Sequence, residues 1–419
     1  MTCPNCWHPF LPEEVLFIAK HPDLLGDPVA GPDEYRRFAP MRFNLKGEAL
    51  DERGMATTDL ACPRCHLPVS EAMLEVEPIF MSIVGATASG KSYLLTSMCW
   101  ELRRLMPQVF LSFSDADPAA NRAIHEYEET LFLNPHPDRP TEIRATQPDD
   151  RYLHRSAIIE GATVRFPIPL TFTLWPTPEH PHFDEASRIG RIAVLYDNSG
   201  EDFQPGRESG DSQVVQHLAE SRIIFFLFDP TQDPRLRPLL ESEDPQLKYG
   251  LHPGERDAPA PLRQETLLRE MGVRLRRYLG IAQDKRIDKP VVVIVPKFDV
   301  CADSVGVDID TEPYAVREED VSLELDLERI ETASNTIRAF LRRHCPEFVA
   351  TADGLIEHVR YIPVSSLGRS PELVEDGDLR YYGIRPRDIT PRWVAVPMLY
   401  CLSKWASELV TPSTHASGN

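Results

Sequence analysis

Between residues 77 and 410 the chain alternates short apolar runs with stretches of helical period. The runs at 79–84 (IFMSIV), 192–196 (IAVLY), 223–228 (IIFFLF), 291–295 (VVVIV) and 361–364 (YIPV) have the length and composition of buried parallel strands. Residues 109–113 suggest an extra strand, and 162–175 (ATVRFPIPLTFTLW) alternate like one or two half-exposed strands. Helical spacing appears at 93–105 (Leu95, Met98, Leu102, Leu105) and 119–131. It recurs at 264–279 (Leu267, Met271, Leu275, Leu279), with Gly280 as the stop. Two later stretches follow the same rule: 323–343 (Leu323, Leu327, Ile330, Ile337, Leu341) and 397–409 (Met398, Leu402, Trp405, Leu409). Strands alternating with helices predict an α/β fold with a doubly wound, mostly parallel sheet. In such sheets ligands bind beyond the carboxyl ends of the strands.

Other parts of the chain break this pattern. Residues 1–72 form a separate module, and the polar tail 411–419 (TPSTHASGN) reads as disordered. Prolines, 39 in all, cluster between residues 115 and 260 and mark insertions and loops, including 230–262. No internal repeat is visible. The longest apolar runs are far too short to span a bilayer, and the start MTCPNCWHPF lacks the regions of a signal peptide. A soluble, cytoplasmic protein without a membrane partner is therefore expected. The net charge of −20, with no long basic run, disfavours nucleic-acid binding.

Four of the eight cysteines form two CPxC pairs, Cys3/Cys6 and Cys62/Cys65. Without an export signal, metal is the better reading than disulfides. Two thiolate knuckles make a closed tetrahedral zinc site, with no open position for water. The 55 residues between the pairs are an insertion, and His8 and His66 stand nearby as alternative ligands. The site can be a staple for a small module or a docking surface. Cys99, Cys301, Cys345 and Cys401 stand alone and are expected to be buried and inert.

The strand at 79–84 runs into GATASGKS, in which Gly85 is followed by four residues and then Gly90-Lys91-Ser92. Strand, glycine-rich loop and helix in that order make a phosphate loop. Backbone amides from Gly85 to Lys91, with Ala88 and Ser89 between them and Tyr93 just beyond, can cradle phosphate oxygens. Lys91 would reach the β and γ oxygens, and Ser92 would place its hydroxyl on Mg²⁺. Asp197-Asn198-Ser199-Gly200 ends the next buried strand. Asp197 there can hold a magnesium-bound water, and the Gly200 amide can bond the γ-phosphate. Pro296-Lys297-Phe298-Asp299 matches the guanine-reading N-K-x-D loop except that Pro296 replaces Asn. The Asp299 carboxylate would accept from the guanine N1–H and 2-amino group, with the Lys297 stem packed on the base. Adenine would leave that acid unpaired. Ser365-Ser366-Leu367 is similar to S-A-K, in which the backbone at the middle residue contacts the guanine oxygen. A switch Thr should complete the metal shell. Thr141 is preferred over Thr146. Glu201 stands where many GTPases carry a water-orienting Gln, which implies slow hydrolysis needing a partner's arginine.

These four elements in this order resemble a GTPase of the P-loop class that includes Ras and the translation factors. With the front cysteine pairs, GATASGKS, DNSGEDF, PKFD and VSSLG, the chain resembles the bacterial double-GTPase family. That resemblance implies a zinc ribbon, a GTP/GDP-dependent switch with Mg²⁺, and a second GTPase or an adaptor as partner in a conflict or defence system. Two other readings stay open on the residues: a non-catalytic nucleotide-binding scaffold, which Glu201 favours, and a P-loop ATPase, for which Lys297 and Asp299 would be incidental.

Overall fold

A computed structural model describes residues 1–143, 154–198, 203, 212–240, 244–250, 263–317, 321–377 and 379–413. The run at 79–84 forms β1 (Glu77–Gly85), buried from Ile79 to Gly85 and so covered on both faces. Among the described residues, six further strands join it in one sheet: β2 (Leu111–Asp115), β3 (Leu170–Pro176), β4 (Arg191–Asp197), β5 (Ile223–Leu227), β6 (Val291–Val295) and β7 (Val359–Pro363). The order across the sheet is β2-β3-β4-β1-β5-β6-β7. β4, β1, β5, β6 and β7 run parallel, while β2 and β3 pair antiparallel at one edge. The fold is therefore mixed α/β with a mostly parallel central sheet. The second half of 162–175 is the inner strand β3. The first half, Ala162–Pro167, pairs outside the sheet with His154–Ile159.

The main helices are α1 (Lys91–Leu105), α2 (Arg122–Leu131), α3 (Ser212–Glu220), α4 (Gln264–Tyr278), α5 (Leu327–His344), α6 (Pro346–Leu355) and α7 (Val396–Trp405). Two expectations need correction. Leu323 belongs to the strand Ser322–Leu325, and α5 starts only after Asp326, whose side chain accepts from Arg329 N at 2.9 Å. The tail does not loosen at 411. Thr411–Pro412 pairs in parallel with Glu324–Leu325, and Ser413 N donates to Leu325 O at 2.8 Å. Residues 414–419 lie outside the described residues.

The first 72 residues carry a small antiparallel sheet in the order Arg37–Phe38, Leu16–Ile18, Leu60–Ala61, Pro68–Val69. Its core is continuous with one face of the central sheet. Trp7, Phe10 and Val76 pack in one cluster with Phe80, Ile192, Val194 and Tyr196. The four lone cysteines are buried, as expected. No helix among the described residues is long and apolar enough to cross a membrane.

Candidate functional site

The phosphate loop sits where β1 gives way to α1. Its turn needs two left-handed residues, Ala88 at φ +59° and Gly90 at φ +88°. Gly85 is fixed by close approach instead. A Cβ there would lie 2.8 Å from Leu227 Cβ and 3.0 Å from Ser89 Oγ. Ser89 Oγ is buried with no hydrogen-bond partner among the described residues, an unsatisfied polar group inside the cradle. Lys91 Nζ folds back on the loop, donating to Gly85 O at 2.9 Å and Ala86 O at 3.1 Å. A charged acceptor would compete well with those two neutral carbonyls for the ammonium.

The loop after β6 lies against this cradle. Lys297, at φ +52°, sends its side chain across Gly90, with Cε 4.0 Å from the position a Cβ would take there. Its ammonium donates to Asp229 Oδ2 and Gln246 Oε1, both at 2.6 Å. Burial raises the Asp299 carboxyl above the ordinary carboxylate range, and a hydrogen bond from Ser365 Oγ at 2.5 Å pulls the other way. Ser365 Oγ in turn accepts from Gly368 N at 2.9 Å. Gly368 closes this turn at φ +79°, where a Cβ would run into the backbone carbonyl of Thr390. Ser366 O accepts from Ser97 Oγ on α1 at 2.9 Å, tying this last loop to the helix that follows the phosphate loop.

One cavity of about 500 Å³ joins three of the four sequence motifs. Ala88 to Tyr93, Lys297, Asp299 and Ser365 to Leu367 all line it. Asp197 is placed at the carboxyl end of β4, opposite Ile83 and exposed. It does not line that cavity. Gly200 and Glu201 lie outside the described residues. Thr141 lines a neighbouring cavity of about 550 Å³, with its backbone bridged to Ile384, while Glu142 and Ile143 reach the first cavity. Thr146 lies outside the described residues. Tyr93 ties α1 to this segment, since its hydroxyl accepts from Ile143 N at 3.0 Å. Burial pushes the Tyr93 pKa up to about 12.

Sequence reasoning missed several residues here. Asp229 follows β5 and is fully buried, and it anchors Lys297. Gln232 Nε2 donates to Thr87 O at 3.0 Å, stapling the phosphate loop from outside. Ser365 was visible only as part of a short polar motif, and the structure shows it gripping Asp299. The hairpin Glu372–Asp376 and Leu379–Gly383 carried no sequence signal, yet Arg380, Tyr381 and Tyr382 line the cavity.

In the front module the ligand atoms of Cys3, Cys6, Cys62 and Cys65 lie within 4.8 Å of one another. Cys3 Sγ is 3.8 Å from Cys65 Sγ, and Cys6 Sγ is 3.7 Å from Cys62 Sγ. A tetrahedron with Zn–S bonds of about 2.3 Å has edges of about 3.8 Å, so the donor set fits zinc. The knuckles match: Trp7 (φ +55°) and His66 (φ +58°) each follow the second cysteine of a pair in the left-handed region. Among the described residues the group is the four cysteines without His66, whose Nδ1 lies 2.8 Å from Asp27 Oδ1.

No family model matches the chain. A stretch of 179 residues is 26% identical to SaeC of Mycolicibacterium smegmatis, a protein named for a proposed part in ESX-1 scaffolding and assembly. The match covers 42% of this chain and 39% of SaeC, so the chain spans about two-fifths of that relative's length. Among solved structures, Sup35 complexed with GDP overlaps 70% of this chain and 38% of its own, at 17% identity and a TM-score of 0.22. The signal recognition particle receptor SRb-GTP/SRX complex of Chaetomium thermophilum overlaps 72% of this chain and 94% of its own, at 13% identity and a TM-score of 0.23. At these TM-scores neither overlap bears on what the chain binds.

Proposed function

We propose that the chain is a GTP-binding and GTP-hydrolysing molecular switch. The observation that carries this reading is Asp299: a half-buried carboxylate, held by Ser365, in the same cavity as the phosphate loop. Guanine presents an N1–H and a 2-amino group to such an acid, and adenine presents neither in that arrangement. Lys297 would lie along the base, and the Ser366 and Leu367 backbone would face the guanine oxygen. Lys91 would exchange its two loop carbonyls for phosphate oxygens. Ser92 and Asp197 are the groups to hold Mg²⁺, which would neutralise charge on the phosphates, with Thr141 proposed to complete its shell. Gly200 and Glu201 would meet the γ-phosphate and the attacking water, and the anionic Glu201 makes unassisted turnover slow. The four cysteines hold a structural zinc.

Titration with GDP, GTP and ATP tests the reading. Guanine nucleotides should bind at least about 10²-fold tighter than ATP. Asp299→Asn should transfer that preference to xanthosine nucleotides. Similar affinity for ATP and GTP would leave a P-loop ATPase instead. The SaeC match favours a second reading, a nucleotide-binding scaffold that assembles other proteins. Single-turnover phosphate release, with and without a partner, separates the two, because a scaffold releases none. The resemblance to double GTPases makes a second GTPase or an adaptor the partner to try first, and a conflict system the setting.

A further inference from the structure

We infer that Trp7 and Tyr196 are positioning residues through which the cysteine knuckle sets the place of Asp197. This rests on the reading of Asp197 as a magnesium-end residue of the nucleotide site. Tyr196, the residue before Asp197, is completely buried, and its hydroxyl makes two bonds into the first knuckle. It donates to Pro4 O at 2.5 Å, inside Cys3-Pro4-Asn5-Cys6, and accepts from Trp7 Nε1 at 2.9 Å. The ring stacks on His217 of α3, with centroids 5.0 Å apart and 17° between planes. His217 Nδ1 lies 2.8 Å from Ser82 Oγ on β1, and Ser82 sits opposite Tyr196 in the sheet register. On the other side of Asp197, Asn198 bonds Ile83 O through both its backbone N, at 3.2 Å, and its side-chain Nδ2, at 3.0 Å.

Asp197 is therefore an exposed carboxylate between two buried anchors. One anchor is β1, the strand that leads into the phosphate loop. The other is the knuckle. Packing alone would be served by Phe at position 196. A hydroxyl aimed at one peptide carbonyl fixes the knuckle and the strand end at a single spacing, and an unmade bond there would cost the full desolvation of a buried group. The two CPxC pairs thus do more than close a small module: the carbonyl between the first two thiolates is one end of the linkage that ends at Asp197.

The test is the magnesium requirement for nucleotide binding in the full-length, zinc-loaded protein, compared among wild type, Tyr196→Phe, Trp7→Phe and Asp197→Asn. Metal analysis and thermal melting accompany it. The expected result is that Tyr196→Phe keeps its zinc and keeps magnesium-free GDP affinity, yet needs about fivefold more Mg²⁺ or higher for GTP. Asp197→Asn should shift the requirement the same way, and the double variant should add little to it. Trp7→Phe, which leaves the bond to Pro4 in place, should show a smaller shift in the same direction and stands in if Tyr196→Phe does not fold. An unchanged magnesium requirement in both aromatic variants overturns the proposal. So does an equal loss of GDP and GTP binding that follows the loss in melting temperature, since that is the mark of a purely structural pair. Equal binding of ATP and GTP would sink the guanine reading and leave this test usable, because the metal requirement can be read with either nucleotide.

Discussion

Gly85 shows how much one position can decide. The last residue of β1 has room for a hydrogen and nothing larger, because Leu227 of the neighbouring strand stands 2.8 Å from where a methyl carbon would go. Gly85→Ala should therefore push the phosphate loop off β5. A stability loss of about 1–3 kcal/mol is expected in urea unfolding, with a fall in affinity for GDP and ATP alike. Unchanged binding in a folded variant would remove Gly85 from the cradle. The glycine spacing was readable in the sequence because it is local, with Gly85, Gly90 and Lys91 seven positions from end to end. The surroundings of Lys297 were not, because Asp229 and Gln246 lie 68 and 51 positions away and meet it only once the sheet has formed. Ser365 falls between the two cases. It stood in a recognisable motif, but its grip on Asp299 depends on β6 and β7 being neighbours.

At the level of elements, the apolar runs gave the sheet because strands buried on both faces need continuous hydrophobic residues. The boundaries failed where a polar cap outweighs periodicity. Leu323 and Leu327 share a helical phase, yet Asp326 between them bonds Arg329 N and starts the helix there, leaving Leu323 and Leu325 to a strand. Asp326→Ala should cost about 1 kcal/mol. A lowered urea midpoint with unchanged nucleotide affinity is expected, since α5 contributes no residue to the cavity. Loss of nucleotide binding would mean that this end of the helix matters to the site. The hairpin over the cavity escaped prediction because its strands, ELVED and LRYYG, are only five residues each and show no regular alternation of apolar and polar positions. Such strands leave little alternation to read.

Across the whole molecule, the front module and the sheet share one core, and His217 sits at their junction. It is fully buried, and burial depresses its pKa to about 3 from an ordinary 6.5. A histidine kept neutral by folding binds its proton more readily in the unfolded chain. Its contribution is complete above about pH 6.5 and is lost as the pH falls toward about 3. The urea midpoint of the wild type should accordingly drop between about pH 7 and about pH 5, and that of His217→Phe should drop less. Parallel slopes would show that other groups carry the pH dependence. The two CPxC pairs were legible as a group that could hold a metal, and the four cysteines do come together. Where the module would dock was not legible, because Trp7 and Tyr196 are 189 positions apart.

All eight thiols are buried, four in the knuckles and four in the α/β core. A maleimide dye offered to the native protein would thus find no ready target. The cavity-side hairpin, by contrast, presents Leu379 with 69% of its surface open. A single cysteine placed at that tip would carry a fluorophore beside the proposed nucleotide cavity with every native cysteine left in place.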